Sequence, residues 1–281
     1  PLCVLFHNAD MRPADYEDRP NRPGHADYTG YVRYNGFNDP RGGGHFSGRL
    51  TAPLVFAGAV AAQILEKKGI YAATHVRCIA DVEDAPFDKM NIPRGLAESL
   101  AAMRLPLLDQ SKAADMEQRI KEAAADHVSV GGVVECAICG LPVGLGSPIF
   151  GAAESVISSL LMAIPAVKGV SFGEGFGFAG LRGSEANDAY VLKDGKISTA
   201  TNHNGGILGG ITNGRPVIFE VVVKPTASIS KPQQTVNLKT MEEETITVKG
   251  RHDACIVPRA AVAIEAAAYI AALDLMMERG W

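Results

Sequence analysis

Val217-Ile-Phe-Glu-Val-Val-Val223 constrains this chain more than any other stretch. Six of its seven residues are apolar and five of those are β-branched, so it reads as a strand buried in a sheet. Three apolar segments rich in small residues supply helices to pack with it. Thr51 to Lys68 reads as a buried helix ending at Gly69, Gly151–Ile164 as a second, and Ala260–Met277 as an Ala-rich helix closing the chain. Further strands are expected at Ile70–Val82, Val128–Ile138 and Val167–Phe172, with edge strands within Thr235–Val248, and a charged helix over Asp109–Asp126. Pro1-Leu-Cys-Val-Leu-Phe6 reads as a buried strand already under way. The succession of elements suggests an α+β fold built from a duplicated β-α-β arrangement, sandwich-like, with helices packed between and against sheets. Ser228–Gln234 is the one linker-like stretch and it is short, so residues 1–281 are expected to form a single domain.

A chain of 281 residues buries about three quarters of its unfolded surface, enough for a core without disulfides or metals. The net charge of −4 gives no reason to expect nucleic acid as a partner. No apolar run reaches the length that crosses a bilayer, and the start carries no signal-peptide pattern. Five cysteines, an odd number, suggest reduced thiols in a cytoplasmic compartment. Cys136-Ala-Ile-Cys139 has redox or zinc spacing, but it lies in an apolar strand with no second pair, so buried thiols are the better reading and no metal is expected. Gly175-Phe-Gly-Phe-Ala-Gly180 matches a dinucleotide fingerprint by letter. The polar Leu181–Asp188 that follows offers no helix for a pyrophosphate, so a Gly-rich turn is expected.

The polar residues 7–50 read as a long functional loop. Arg22-Pro-Gly-His-Ala-Asp27 and Asp39-Pro-Arg-Gly-Gly-Gly-His-Phe-Ser-Gly-Arg49 bring arginines, histidines and glycines together. Guanidinium groups grip carboxylate and phosphate, glycines let backbone N–H groups approach an anion, and histidine moves protons near neutral pH. That composition suits a small, multiply anionic molecule. Two further clusters follow: Asn202-His-Asn-Gly-Gly-Ile-Leu-Gly-Gly210 with Lys224-Pro-Thr-Ala-Ser228, and Lys249-Gly-Arg-His-Asp-Ala-Cys255.

These motifs, in this order and over essentially the whole chain, resemble chorismate synthase. Members of that family carry an upstream segment, with a Gly-x-Ser-His-Gly motif and a second catalytic histidine, that is not found in these 281 residues, so a fragment or partial record is expected. The resemblance implies a lyase of aromatic amino acid biosynthesis that uses reduced FMN. It eliminates phosphate, with anti-1,4 geometry, from 5-enolpyruvylshikimate 3-phosphate to give chorismate, with NADPH involved only through an external flavin reductant. It implies that His25 supports protonation at the flavin N1 side, that Asp253 cooperates with flavin N5 in removing the substrate proton, and that Ser47 lies near the flavin. Arg22, Arg49 and Arg251 would bind substrate. His45, Phe46, Ser47, Ala166, Gly209, Lys224, Pro225, Thr226, Ala227, Ser228 and Arg251 would bind FMN. His45-Phe46 stands where many members have Arg-Ser, which puts the roles of those two in doubt. His203 and His252 are expected near the site without a role, and His7, His75 and His127 as structural or surface residues. The family pattern also implies a homotetramer. The competing readings are a flavin-binding oxidoreductase without lyase activity and an inert fragment.

Overall fold

The computed structural model describes residues 2–7, 21–39, 41–248 and 252–280, the side chains of 41–43 excepted. Helix α1 (Asp27–Arg33) and two 3₁₀ turns precede α2 (Thr51–Glu66). Strands β1 (Tyr71–Ile79) and β2 (Val82–Glu83) lead to α3 (Arg94–Ala101), α4 (Ala113–Ala125) and β3 (Gly132–Cys139). Helix α5 (Ala153–Met162) and β4 (Val167–Phe172) follow, then the four-residue α6 (Gly183–Ala186). Three hairpins and one long strand come next: β5 (Tyr190–Lys193) with β6 (Lys196–Thr199), β7 (Ile207–Leu208) with β8 (Ile211–Thr212), β9 (Val217–Val223), and β10 (Gln233–Asn237) with β11 (Glu242–Ile246). Helix α7 (Val257–Glu278) ends the described chain.

The α+β class holds. The principal sheet has the order β2-β1-β3-β9-β4, and every neighbouring pair is antiparallel. The run Val217–Val223, β9, sits between β3 and β4 with the bounds expected of it. One face of the sheet presents Val76, Val134, Cys136, Phe219 and Val221 to α7 and α5, which form the main core. The other face carries Ala73, Ala137 and Ile218 under Phe87, Ile92, Ala97 and Leu100 from the β2–α3 region. Helix α7 is apolar because it is a core helix, and the phenol of Tyr269 on it accepts a hydrogen bond from Ala72 N–H at 2.8 Å.

Several expectations need correcting. Residues 2–6 form no strand and are exposed, because no strand among the described residues pairs with them. The stretch 7–50 is not all loop, since it holds α1 and the two 3₁₀ turns. Gly48–Glu66, which joins the second 3₁₀ turn to α2, and α7 are long and apolar enough to cross a bilayer by length and composition, contrary to the sequence count; most of α7 is buried in the core, and Gly48–Glu66 is largely exposed. The paired cysteines of β3 point to opposite faces, Cys136 into the main core and Cys139 into the second, because three residues along a strand reverse the side. They share no ligand and burial raises both thiol pKa values, Cys139 to about 11. Gly175–Gly180 is a 3₁₀ turn followed only by α6, in keeping with the turn reading.

Helix α2 approaches α7 through Gly58, where a Cβ would fall 2.4 Å from Ala266 Cβ and 2.5 Å from Ala266 Cα. Alanine is the better helix former by about 1 kcal/mol. Here the clash is with backbone and with a methyl that cannot rotate away, so overpacking of about 1–3 kcal/mol wins. Gly58→Ala should lower the melting temperature. Gly95→Ala in α3, where a Cβ meets nothing within 4 Å, should leave it unchanged or raise it. Paired thermal melts check both.

Candidate functional site

Strand β9 delivers Lys224 at the end of the sheet where β3 begins, since Val223 pairs with Gly132. Pro225 then breaks the ladder. The segment 224–228 is held by its neighbours: Lys224 N–H donates to Ala166 O at 2.9 Å, and Ser129 Oγ to Thr226 O at 2.8 Å. Ala166 has a left-handed backbone with φ +75°. Thr226 Oγ1 donates to Asp253 O at 2.9 Å, and Val130 N–H donates to Ala254 O at 2.8 Å, so the approach to α7 lies against the same segment.

The Arg22–Asp27 stretch crosses onto it from about 200 residues away. Lys224 Nζ donates to Gly24 O at 2.6 Å. Gly24 takes φ +70°, and a Cβ there would lie 3.6 Å from Ala227 Cβ and 3.8 Å from Lys224 Nζ. Arg22 Nη1 donates to Ser228 Oγ at 3.0 Å. Asn21 Nδ2 donates to Val236 O at 3.1 Å, and Thr235 Oγ1 donates to Asn21 O, which pins the entry to the loop on β10.

Within that stretch Asp27 is the hub. Arg22 donates to it from Nε at 2.8 Å, Nη2 at 2.9 Å and the backbone N–H at 3.0 Å, and His25 Nδ1 lies 2.6 Å from its Oδ1. Burial raises the carboxyl pKa of Asp27, but hydrogen bonds from Arg22 and His25 outweigh it and hold the group well below the usual carboxylate range. Asp27 therefore keeps its charge throughout the neutral range. Its stabilising contribution is complete above the ordinary Asp value near 4 and is lost only as pH falls below that. The Phe46 ring meets His25 edge-on with centroids 6.5 Å apart, and it lies so close over Gly30 that a Cβ there would be 2.6 Å from Phe46 Cε2.

Arg22, His25, Phe46, Ala166, Lys224, Pro225, Thr226, Ala227, Ser228 and Asp253 are thus brought to one neighbourhood. Ser47 follows Phe46, and its hydroxyl accepts the Arg49 N–H at 3.3 Å, which starts a 3₁₀ turn. Arg49 is exposed. His45 turns to Tyr34, ring centroids 6.4 Å apart. Arg251 lies outside the described residues. His252 Nε2 is 3.1 Å from Val248 O.

Gly209 and His203 are placed elsewhere. The β7–β8 hairpin sits beside Leu145 and the start of α5, where Ala153 N–H donates to Gly210 O at 2.8 Å. Gly205 N–H and O bond near Asn202 and Ile218, at the other end of β9 from Lys224. A strand of seven residues separates the two ends by roughly 20 Å. His203 belongs to that far end too, with Nδ1 2.9 Å from Glu174 Oε1, which also holds Lys89 Nζ at 2.7 Å.

Two residues that the sequence left without roles belong to the cluster. Asp27 was visible only as a neighbour of His25. Arg259, in the first turn of α7, donates to Asp253 Oδ2 at 2.6 Å. Its signal is its spacing, six positions after Asp253 and just past Pro258.

The chemistry of the cluster suits an anion. An ammonium keeps N–H groups beyond the one given to Gly24, Ser228 accepts from Arg22 and retains its own O–H, and the turn at Gly24 is open. Three comparisons bear on what that anion is. A family model described as chorismate synthase matches residues 1–277. A chorismate synthase of Dehalococcoides mccartyi is 44% identical over 282 residues, covering 100% of this chain and 76% of that protein. One of Pyrococcus abyssi is 45% identical over 284 residues, covering 100% of this chain and 78% of that protein. A crystal structure of chorismate synthase superposes with a TM-score of 0.74 at 29% identity, over 90% of this chain and 70% of that one.

Proposed function

This chain belongs to the chorismate synthase family, and from that premise we propose that it performs the family's lyase reaction at the Lys224–Ser228 cluster. The reaction is the 1,4-elimination of phosphate from 5-enolpyruvylshikimate 3-phosphate, giving chorismate. The observation that carries this placement is the convergence of Arg22, Gly24 and Asp253, from two distant parts of the chain, on the segment Lys224–Ser228.

The donor set fits FMN. Lys224 and the Ser228 hydroxyl would hold the flavin phosphate, with Thr226 and Ala227 as the floor and Ala166 at the side. Reduced FMN, when bound, supplies transient electron donation that lets phosphate depart without net oxidation or reduction. The protein's own groups do the rest. Arg49 offers an exposed guanidinium, five N–H donors in a fork that matches carboxylate or phosphate of a substrate carrying both. Asp253 would cooperate in removing the substrate proton, its Oδ2 held by Arg259. His25 would pass a proton to and from the cofactor, and the Phe46 ring packs edge-on against that histidine.

We propose further that the protein works as a soluble, cytoplasmic homotetramer. In support, Phe56 and Ile64 on α2, and Leu50 in the turn before it, are exposed, a surface suited to burial between subunits.

The test is phosphate release under anaerobic conditions, with 5-enolpyruvylshikimate 3-phosphate and chemically reduced FMN. Phosphate and chorismate should appear in equal amounts, and omission of reduced flavin should stop both. Steady oxidation of NADPH with no phosphate would favour an oxidoreductase instead. No phosphate release at all would count against the assignment of this reaction to the chain.

A further inference from the structure

The side chain of Arg22 is nearly used up within the protein. Four of its five N–H groups face Asp27, Ser228 and His25, and the residue is 8% exposed. A guanidinium that grips a substrate carboxylate needs two parallel N–H groups free on one edge. Both N–H groups on the Nε–Nη2 edge already hold the two oxygens of Asp27. The same Asp27 oxygen that takes Nη2 lies 2.6 Å from His25 Nδ1.

An ionised carboxylate only accepts, so the ring nitrogen facing it must donate. We infer that Asp27 is the positioning residue for His25, fixing its Nδ1–H tautomer and its aim, and that Arg22 is the cation that locks Asp27 rather than a ligand of the substrate. This leaves Nε2 as the nitrogen that exchanges a proton. The terminal nitrogen of Arg22 lies 2.9 Å from Nδ1 and 3.0 Å from Nε2, favouring neither, and balances the carboxylate charge. The catalytic meaning of the arrangement rests on the proposed role of His25; the tautomer itself does not.

The test begins with the unaltered full chain labelled with ¹⁵N in its histidines. Long-range ¹H–¹⁵N spectra at neutral pH, with the His25 signals identified by their loss in His25→Gln, should show Nδ1 protonated and Nε2 bare. Asp27→Asn offers an amide that can donate to Nδ1, so the protonated nitrogen should change to Nε2. An Nε2–H tautomer in the unaltered protein, or an unchanged pattern in Asp27→Asn, overturns the inference. Should Asp27→Asn fail to fold, the tautomer in the unaltered protein decides alone.

Kinetics then separate Arg22 from the substrate. Arg22→Lys and Asp27→Asn should each lower kcat about 10–100-fold, as loss of a carboxylate partner of a functional histidine does, with KM within about threefold. The double variant should be no worse than the worse single one, because both act through His25. A KM raised about tenfold or more in Arg22→Lys, with kcat kept, makes Arg22 a substrate ligand and overturns that half. Absence of phosphate release in the unaltered protein sinks the proposed reaction and leaves the tautomer result standing.

Discussion

Asp253→Asn should reduce the rate of phosphate release by about a thousandfold while flavin binding stays within about threefold. Proton transfer by a positioned side chain contributes about 10²–10⁴-fold, and an amide of the same shape cannot take the proton. The variant preserves packing, because Asp253 is half-exposed and Asn can still accept the Arg259 hydrogen bond now made at 2.6 Å. The pair is exposed enough that its loss costs the fold about 0–1 kcal/mol, so thermal stability should be near normal. In the proposed assignment flavin is held by Lys224–Ser228, whose link to this region runs through the backbone carbonyl of residue 253, which Asn keeps. Single-turnover assays with reduced FMN and a fluorescence titration of the flavin check the two halves. A variant that loses flavin binding, or one that keeps full turnover, contradicts the role given to Asp253.

The second large effect concerns stability. His75→Leu should destabilise the protein by about 3–5 kcal/mol, the range for breaking a buried charged group's pairing. That corresponds to a fall in melting temperature of roughly 6–15 °C for a chain of this size. His75 is fully buried on the second face of the sheet, with Nδ1 3.0 Å from Asp84 Oδ2 and Nε2 2.7 Å from Glu135 Oε2. A ring donating from both nitrogens satisfies both carboxylates. Leucine would leave two buried carboxylates facing apolar surface. Asp84 still has the N–H groups of Ala85, Leu108 and Asp109, whereas among the described residues Glu135 has only that of Phe87. Glu135 also faces Glu220 across the β3–β9 ladder, and burial together with Glu135 raises the pKa of Glu220. Glu135→Gln added to His75→Leu should therefore recover part of the loss, since Gln can still accept the Phe87 N–H. Thermal melts of the single and double variants test this, and a single variant within about 1 kcal/mol of the unaltered protein would refute it.

Elements that carry their own burial pattern were legible in the sequence. Strands β4 and β9 have the expected bounds, and α2, α5 and α7 lie within a few residues of theirs, because long apolar runs need cover wherever they fall. Helix α3 was missed because eight residues with a glycine near the start give too short a period to detect. The β5–β6 hairpin was missed despite Asp194-Gly195, whose φ values of +52° and +73° fit a tight two-residue turn. Residues 2–6 misled because an apolar run carries no sign of whether a partner strand exists.

The site divides in the same way. Lys224 to Ser228 could be placed because they end a recognisable strand. Gly209 and His203 are near Lys224 in sequence, yet β9 carries the chain across the sheet between them. Arg22 and Asp27 form an ion pair that no spacing rule separates from an arginine awaiting a ligand. Only the partners at hydrogen-bond distance reveal it.

The bonds that close the cluster, Lys224 to Gly24 and Arg22 to Ser228, join positions 200 and 206 apart. The sheet and α7 beneath them need none of these bonds. Helix α2 packs on α7 across as long a span, Gly58 against Ala266, so the difference lies in number: a sheet and a core hold the body, a few polar bonds hold the cluster. Local opening of the Arg22 stretch can thus leave the regular architecture in place while parting the groups that the proposed chemistry needs together.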